Sequence, residues 1–277
     1  MPAHQRVVDA HFEATAFYWR DVYDFRGVEG AIYHQRRALA LAMVAALRLA
    51  PAARILEIGC GAGSLAVTLA RQGYTVDALD PVRAMIDFTR RLAAEAGVGE
   101  RVVASLGDVH HLGFAHGAFD LVVALGVTPW LHTPGDALRE LVRVVRRGGH
   151  VIVSADNRWR LSHLLDPRFF PACAGVRTRV RDLLGGPPRA RVRMYAPARF
   201  DRMLAASGLE KQSGRTLGFG PFTLWNHRLL PEAAGLRLHG ALQRAADRSV
   251  PGIRSLGAQY VVLARRSAGR GASVSWE

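Results

Sequence analysis

The stretch from Arg54 to Gly63 (RILEIGCGAG) narrows the folds open to this chain more than any other. An apolar run of strand character, Ile55 to Ile58, leads straight into glycines at 59, 61 and 63. A helix-like segment follows at once, from Ser64 to Arg71. A second apolar strand, Tyr74 to Asp80 (YTVDALD), then ends on an acid. Glycine lets the backbone approach a ligand closely, because no side chain intervenes and positive φ is free. An acid at the tip of the next strand can accept both hydroxyls of a ribose. Together these features predict a nucleoside-binding crevice. As a strand-tip acid, Asp80 is expected to bear on the ligand and not on the fold.

Strand and helix patterns alternate from residue 53 to 154, which implies parallel strands in a doubly wound α/β sheet. Glu57, Asp80, Asp108 and Gly126 all fall at or near strand ends, where such sheets bind ligands. Ahead of this core, residues 31–50 read as a helix, with Ile32, Leu39, Met43 and Leu47 on one face and Pro51 after it. Residues 1–30 are rich in aromatic side chains. Residues 156–195 break the rhythm with arginines and prolines, among them Arg158, Arg160, Arg168, Arg177, Arg179, Arg181, Arg189, Arg191 and Arg193. They read as an insertion over the crevice. A helix from Pro197, a strand Leu209–Leu217 and a final strand Gln259–Ala264 close the pattern. The long excursion between those strands, near 218–257, is expected to help roof the pocket.

The order of these motifs resembles the class I S-adenosylmethionine-dependent methyltransferases. The glycine run is preceded by Glu57 and followed by Ser64, unlike the dinucleotide pattern G-x-G-x-x-G. Leu106–Val109 (LGDV), Phe119–Gly126 and the helix, Gly-Gly turn and strand of Ala137–Val153 resemble the family's later motifs, with Arg147 where proline is common. The resemblance covers roughly residues 31–155. It implies a Rossmann-like, mostly parallel sheet with an antiparallel C-terminal edge and inserted roofing segments. On this reading residues 1–50 form an N-terminal helical lid and 51–277 the methyltransferase domain, with insertions near 156–195 and 218–257. S-adenosylmethionine (SAM) is the implied cofactor. Its amino-acid end falls to Glu57, the glycine loop to Gly59, Cys60, Gly61 and Gly63, and the ribose to Asp80. Pro81, Met85, Gly107, Leu125 and Gly126 complete the implied cofactor site, and Asp108 and Val109 face the adenine.

The composition bears on partners. The formal net charge is +14, which invites a nucleic-acid reading. Lys211 is the sole lysine, however, and arginine is spread along the chain, as a coding bias toward GC-rich codons would produce. That argues against a dedicated nucleic-acid surface and for a small-molecule substrate. Cys60 and Cys173 show no metal spacing, and a disulfide to Cys60 would disturb the glycine loop, so no metal is expected and a reducing, cytoplasmic setting is. No apolar run is long enough to span a bilayer. A noncatalytic cofactor-binding or membrane-surface protein, making a peripheral membrane contact by a basic amphipathic face, stays open, as does an RNA or protein acceptor. The acceptor atom and the oligomeric state are open too.

Methyl transfer from a sulfonium needs an acceptor lone pair held in line and water excluded, with a base only where the acceptor holds its proton tightly. His132, in the loop after the fourth strand, is the candidate base. Its alternative role is to pack or cap there. Tyr18, Trp19, Tyr33, Arg37, Trp130, Asn157, Arg158 and His163 are candidate substrate contacts. For the aromatic residues the competing reading is simple core filling.

Overall fold

The structure is a computed structural model that describes residues 3–166, 192–225 and 227–267. Eight strands form the main sheet. Strands β1 (Arg54–Ile58), β2 (Thr75–Asp80), β3 (Val102–Leu106), β4 (Phe119–Ala124) and β5 (Val145–Asn157) run parallel in the spatial order β3-β2-β1-β4-β5. The short β6 (Met194–Tyr195) pairs with the end of β5. Strand β7 (Leu209–Leu217) is outermost. A two-stranded pair, β8 (Thr223–Leu224) and β9 (His227–Arg228), stands apart. The last strand, β10 (Gln259–Arg266), inserts antiparallel between β5 and β7. The antiparallel edge expected of the last two strands is there, with the final strand inside it.

Helices cover both faces because successive strand residues point to opposite sides. Ile55 and Leu56 are both fully buried, one on each face. On one side α3 (Gly27–Leu47), α4 (Ser64–Arg71) and α5 (Arg83–Glu95) pack Ala40, Val44, Leu69 and Ile86 against Ile55, Val76, Val123 and Ile152. On the other, α6 (Pro134–Val144) and α8 (Pro197–Ala206) bury Leu138, Leu141, Phe200 and Leu204 against Leu56, Val122 and Val153. The short α7 (Leu161–Leu165) follows β5. Two further helices, α1 (Ala3–Ala14) and α2 (Ala16–Asp21), precede α3.

The excursion at 218–257 carries α9 (Glu232–Asp247). Gln243 Oε1 accepts from the Gly218 amide at 3.1 Å, and His239 Nδ1 meets the Phe219 backbone. The helix therefore clamps the end of β7 and lies on α3. None of its described residues lines the cavity discussed below. Of the arginine-rich stretch, residues 167–191 lie outside the described residues, as does Cys173. Arg193 is described and is structurally committed: it donates to the carbonyls of Leu131 at 2.8 Å and His132 at 2.9 Å. Among the described residues, no helix is long and apolar enough to cross a membrane.

Candidate functional site

A cavity of about 230 Å³ opens at the carboxyl ends of the parallel strands, under α1 and α2. One water needs only ~10–15 Å³ on this measure, so the space is a ligand site and not a packing defect.

Its floor is the glycine loop. The Gly59 and Cys60 amides donate to Leu79 O at 2.7 and 3.0 Å, which ties the loop to β2. Asp80 locks it further. Its Oδ2 accepts from the Gly61 amide and its Oδ1 from the Val82 amide, each at 3.0 Å. The strand-tip acid thus holds the loop as well as facing the cavity, which the sequence reading did not anticipate. Burial pushes its carboxyl up to about 6, against the pull of the Val82 and Gly61 amides. Thr89 on α5 donates to Gly61 O at 2.9 Å. Gly61 has φ +54, and a Cβ built there would meet nothing within 4 Å, so it would project into the open crevice. The same atom on Gly63 would strike Thr89 at 2.8 Å. Gly63 caps α4 and, alone among the expected cofactor residues, does not line the cavity.

Glu57 is the most perturbed acid here. It is 5% exposed, and its Oε2 has no hydrogen-bond partner among the described residues. Burial pushes its carboxyl up to about 8, with the Ala66 amide opposing and the nearby Asp80 charge adding to the rise. Burial raises the Cys60 thiol as well, helped by Asp80 and Glu57, and Cys60 is a free cysteine. On the far side, Asp108 accepts from the amide and ring of His110 at 2.9 and 2.8 Å. Burial alone would raise its carboxyl, but those contacts hold it below its ordinary value.

The expected substrate residues divide. Trp19, Tyr33 and Trp130 line the cavity. They belong to an aromatic wall: Phe12 packs edge-on to Trp130 at 5.0 Å, and Trp19 edge-on to Tyr33 at 5.9 Å. His4 reaches Trp130 O at 3.0 Å, so α1 is pinned to the loop after β4. Tyr18 turns away from the cavity and donates to Glu29 at 2.5 Å. Arg37 lies over the Tyr23 ring and donates to Ser64 at the start of α4. Its neighbour Arg36 lines the cavity instead. Arg36 stacks over Tyr33 at 4.9 Å, with its buried Nε unpartnered. Asn157 is fully buried and spends its amide on Ser255 O and Gly257 O, both at 2.7 Å, and on the Trp159 amide. It staples β5 to the entry of β10 and does not line the cavity. Arg158 is exposed and leans on Trp159. His163 sits on α7, and neither of these two lines the cavity.

His132 does not line the cavity either. Its ring stacks on His110 at 3.7 Å, beside Asp108 and therefore at the opposite end from Glu57. Burial and the His110 ring hold its imidazole below the ordinary value.

Sequence reasoning passed over Arg36, Gln5, Asp156 and Gln259, which all line the cavity. Arg36 and Arg37 stand three and four residues after Tyr33, so both satisfy the same helical spacing. Asp156 was overlooked because β5 runs on to Asn157, and strand alternation turns 156 and 157 to opposite sides.

Parallel strands in this order, a glycine loop after the central strand and an acid closing the next define a Rossmann-like nucleoside-binding protein. Residues 56–153 match the model of a methyltransferase domain. Over that span the chain is similar to the class I S-adenosylmethionine-dependent methyltransferases. It is similar to two proteins named ubiquinone biosynthesis O-methyltransferase. That of Vibrio cholerae is 26% identical over 170 residues, 61% of this chain and 66% of that protein. That of Azorhizobium caulinodans is 34% identical over 168 residues, 61% of this chain and 63% of that protein. The matched region thus spans just under two thirds of those relatives. In fold it is similar to magnesium protoporphyrin IX methyltransferase from Synechocystis PCC 6803 with bound SAH. The TM-score is 0.64 at 19% identity, covering 95% of this chain and all of that one.

Proposed function

We propose that the protein transfers a methyl group from SAM to a small molecule, in a cytoplasmic setting. The observation that carries this reading is Glu57: a buried acid, one oxygen unpartnered, facing a cavity beside a glycine whose missing side chain opens toward the same space. A buried acceptor without a donor costs free energy, and an ammonium group satisfies it. These features fit the cofactor of the superfamily.

Each strand end contributes one part of the cradle. Glu57 receives the amino group of the cofactor, and Arg36, with its unpartnered Nε, receives the carboxylate. Asp80 keeps lone pairs for the ribose hydroxyls after serving Gly61 and Val82. Asp108 and Val109 take the adenine edge. We assign the stacked His110 and His132 to that adenine side and not to proton transfer at the acceptor. When bound, SAM supplies a methyl group already made electrophilic by its sulfonium. The chain must then position the acceptor and keep water out. The wall of Phe12, Trp19, Tyr33 and Trp130, with α1 pinned to Trp130, suits that task, and residues 1–50 act as the lid. A partly open cavity with aromatic walls favours a small acceptor. Two of the three described arginines of the 156–195 stretch are committed within the protein, since Arg160 pairs with Asp156 and Arg193 holds the 131–132 carbonyls, which argues against a phosphate-binding face.

Calorimetry is expected to give micromolar affinity for SAM and its demethylated product SAH, about −8 kcal/mol. Radiolabelled SAM incubated with the protein should label a small-metabolite extract and leave total RNA unlabelled at physiological salt. Absence of heat with both ligands would remove the reading, and labelled RNA would move it to a macromolecular acceptor. Asp80→Ala is expected to weaken cofactor binding by about 1.5–3 kcal/mol, the range for hydrogen bonds to a charged group. Because Asp80 also holds two loop amides, the variant should lose ~1–3 kcal/mol of stability in denaturant unfolding. Unchanged affinity would take the ribose contact away from Asp80.

A further inference from the structure

The strand order sets a direction across the crevice. Asp108, Asp80 and Glu57 sit at β3, β2 and β1, and Gly126 follows β4. The next strands outward, β5 and β10, bound the cavity beyond the cofactor residues.

Two polar side chains face the cavity there. Asp156 and Gln259 are register partners across the antiparallel β5–β10 pair. Directly opposed residues project from one face of a sheet, and both of these line the cavity. Gln259 Oε1 is buried and without a hydrogen-bond partner among the described residues. Asp156 Oδ2 lies 2.8 Å from Arg160 Nη2, an ion contact that is off the hydrogen-bond line. From α1, Gln5 donates to Asp9 at 2.7 Å, which leaves its Oε1 as the free end of the amide, also buried and unpartnered. Asp9 lies within electrostatic reach of Asp108, which puts Gln5 toward the other side of the cavity, so the β5–β10 end is furnished with two acceptors: a carboxylate and an amide oxygen. Buried acceptors of this kind call for a donor. They repel an ether, a ketone or a second carboxylate.

Resting on the methyl-transfer reading above, we propose that the methyl acceptor is a hydroxyl compound. Its reacting hydroxyl donates to Asp156, and a second donor of the same molecule pairs with Gln259. As the hydroxyl oxygen forms its bond to the methyl carbon, the carbon–sulfur bond breaks with its electron pair left on sulfur. The hydroxyl proton passes to the Asp156 carboxylate. Asp156 is the catalytic residue of this step, and Gln259 sets specificity.

Trp19 and Trp130 line the same cavity, so their fluorescence reports its occupancy. The protein is saturated with SAH and titrated with phenol, catechol, cyclohexane-1,2-diol and methyl glucoside, each against its O-methyl ether. At least one hydroxyl compound is expected to bind about tenfold or more tightly than its ether, because the ether leaves buried acceptors unpaired. Asp156→Asn and Gln259→Met should each erase most of that gap. Their affinity for SAH, read by calorimetry, should stay within roughly twofold of the unaltered protein, since cofactor and acceptor contacts are separate and their effects add. If Asp156→Asn fails to fold, the Gln259→Met arm decides alone. No preference for any hydroxyl over its ether, or a preference that survives substitution, overturns the proposal. Failure to bind SAH at all instead brings down the methyl-transfer reading beneath it.

Discussion

Gly61→Val is expected to abolish cofactor binding and leave the fold standing. A Cβ at this position meets no protein atom within 4 Å, so the added branches extend into the crevice where the ligand would lie. Its neighbours behave differently. A Cβ on Gly59 would strike Val127 at 2.6 Å, and one on Gly63 would strike Thr89, so substitution there disturbs the protein itself. All three glycines have positive φ, which costs a side-chain-bearing residue roughly 1–2 kcal/mol. Gly61→Asn serves as a second variant, because asparagine tolerates that conformation. Both should lose at least about a hundredfold in affinity for SAH, close to 2.8 kcal/mol at 1.4 kcal/mol per factor of ten. Circular dichroism and thermal unfolding should remain near those of the unaltered protein. A folded variant with normal affinity would put the ligand elsewhere.

The second large effect concerns proton linkage at Glu57. Its carboxyl is raised to about 8 by burial, so the free protein holds it protonated at neutral pH. A cationic amino group pairs with the ionised form. Affinity for SAH should therefore climb as pH rises from 6 to 8, by up to about tenfold per unit, and level off above. The same shift acts on folding with the opposite tendency. The folded-state value lies above the ordinary 4.5, so Glu57's contribution to stability is full below that value and is lost as pH rises through about 8. Glu57→Gln keeps the shape and removes both slopes. At pH 8 it should bind SAH at least about tenfold more weakly, the usual loss when a charge-assisted hydrogen bond becomes neutral. Calorimetry across pH and denaturant unfolding of the free protein measure the two arms. A Gln variant that keeps the pH dependence of binding would assign the proton to another group. The nearby candidates are Asp80, raised to about 6, and Cys60.

The glycine-loop side of the cavity was legible in the sequence, and the reason is local. Residues 54–80 carry a strand, a glycine loop, a helix and a strand in immediate succession. Parallel pairing of β1 with β2 brings Glu57, Gly61 and Asp80 together with no help from distant segments. The same holds for Asp108 one strand further out. The strand Leu209–Leu217 was readable to its ends, because a glycine stands on either side of it, Gly208 before and Gly218 after.

The other wall of the cavity was not legible in this way. It is assembled from α1, α3, the end of β5 and the start of β10, which are far apart in the chain. Arg36 and Arg37 are indistinguishable by spacing, and the difference arises when Arg37 finds Ser64 and the Tyr23 ring. Asn157 resembled a substrate contact until β10 arrived beside it and took up its amide. His132 follows the fourth strand as a base would, yet its ring stacks on His110 beside Asp108 and does not line the cavity. By itself, then, the sequence determined the sheet and the glycine loop between its two acids, because those depend on short-range periodicity and on backbone freedom at particular glycines. Only the tertiary structure decided which polar side chains face the cavity. That choice depends on which buried groups find partners across the fold and which, like Gln259 and Glu57, are left without one.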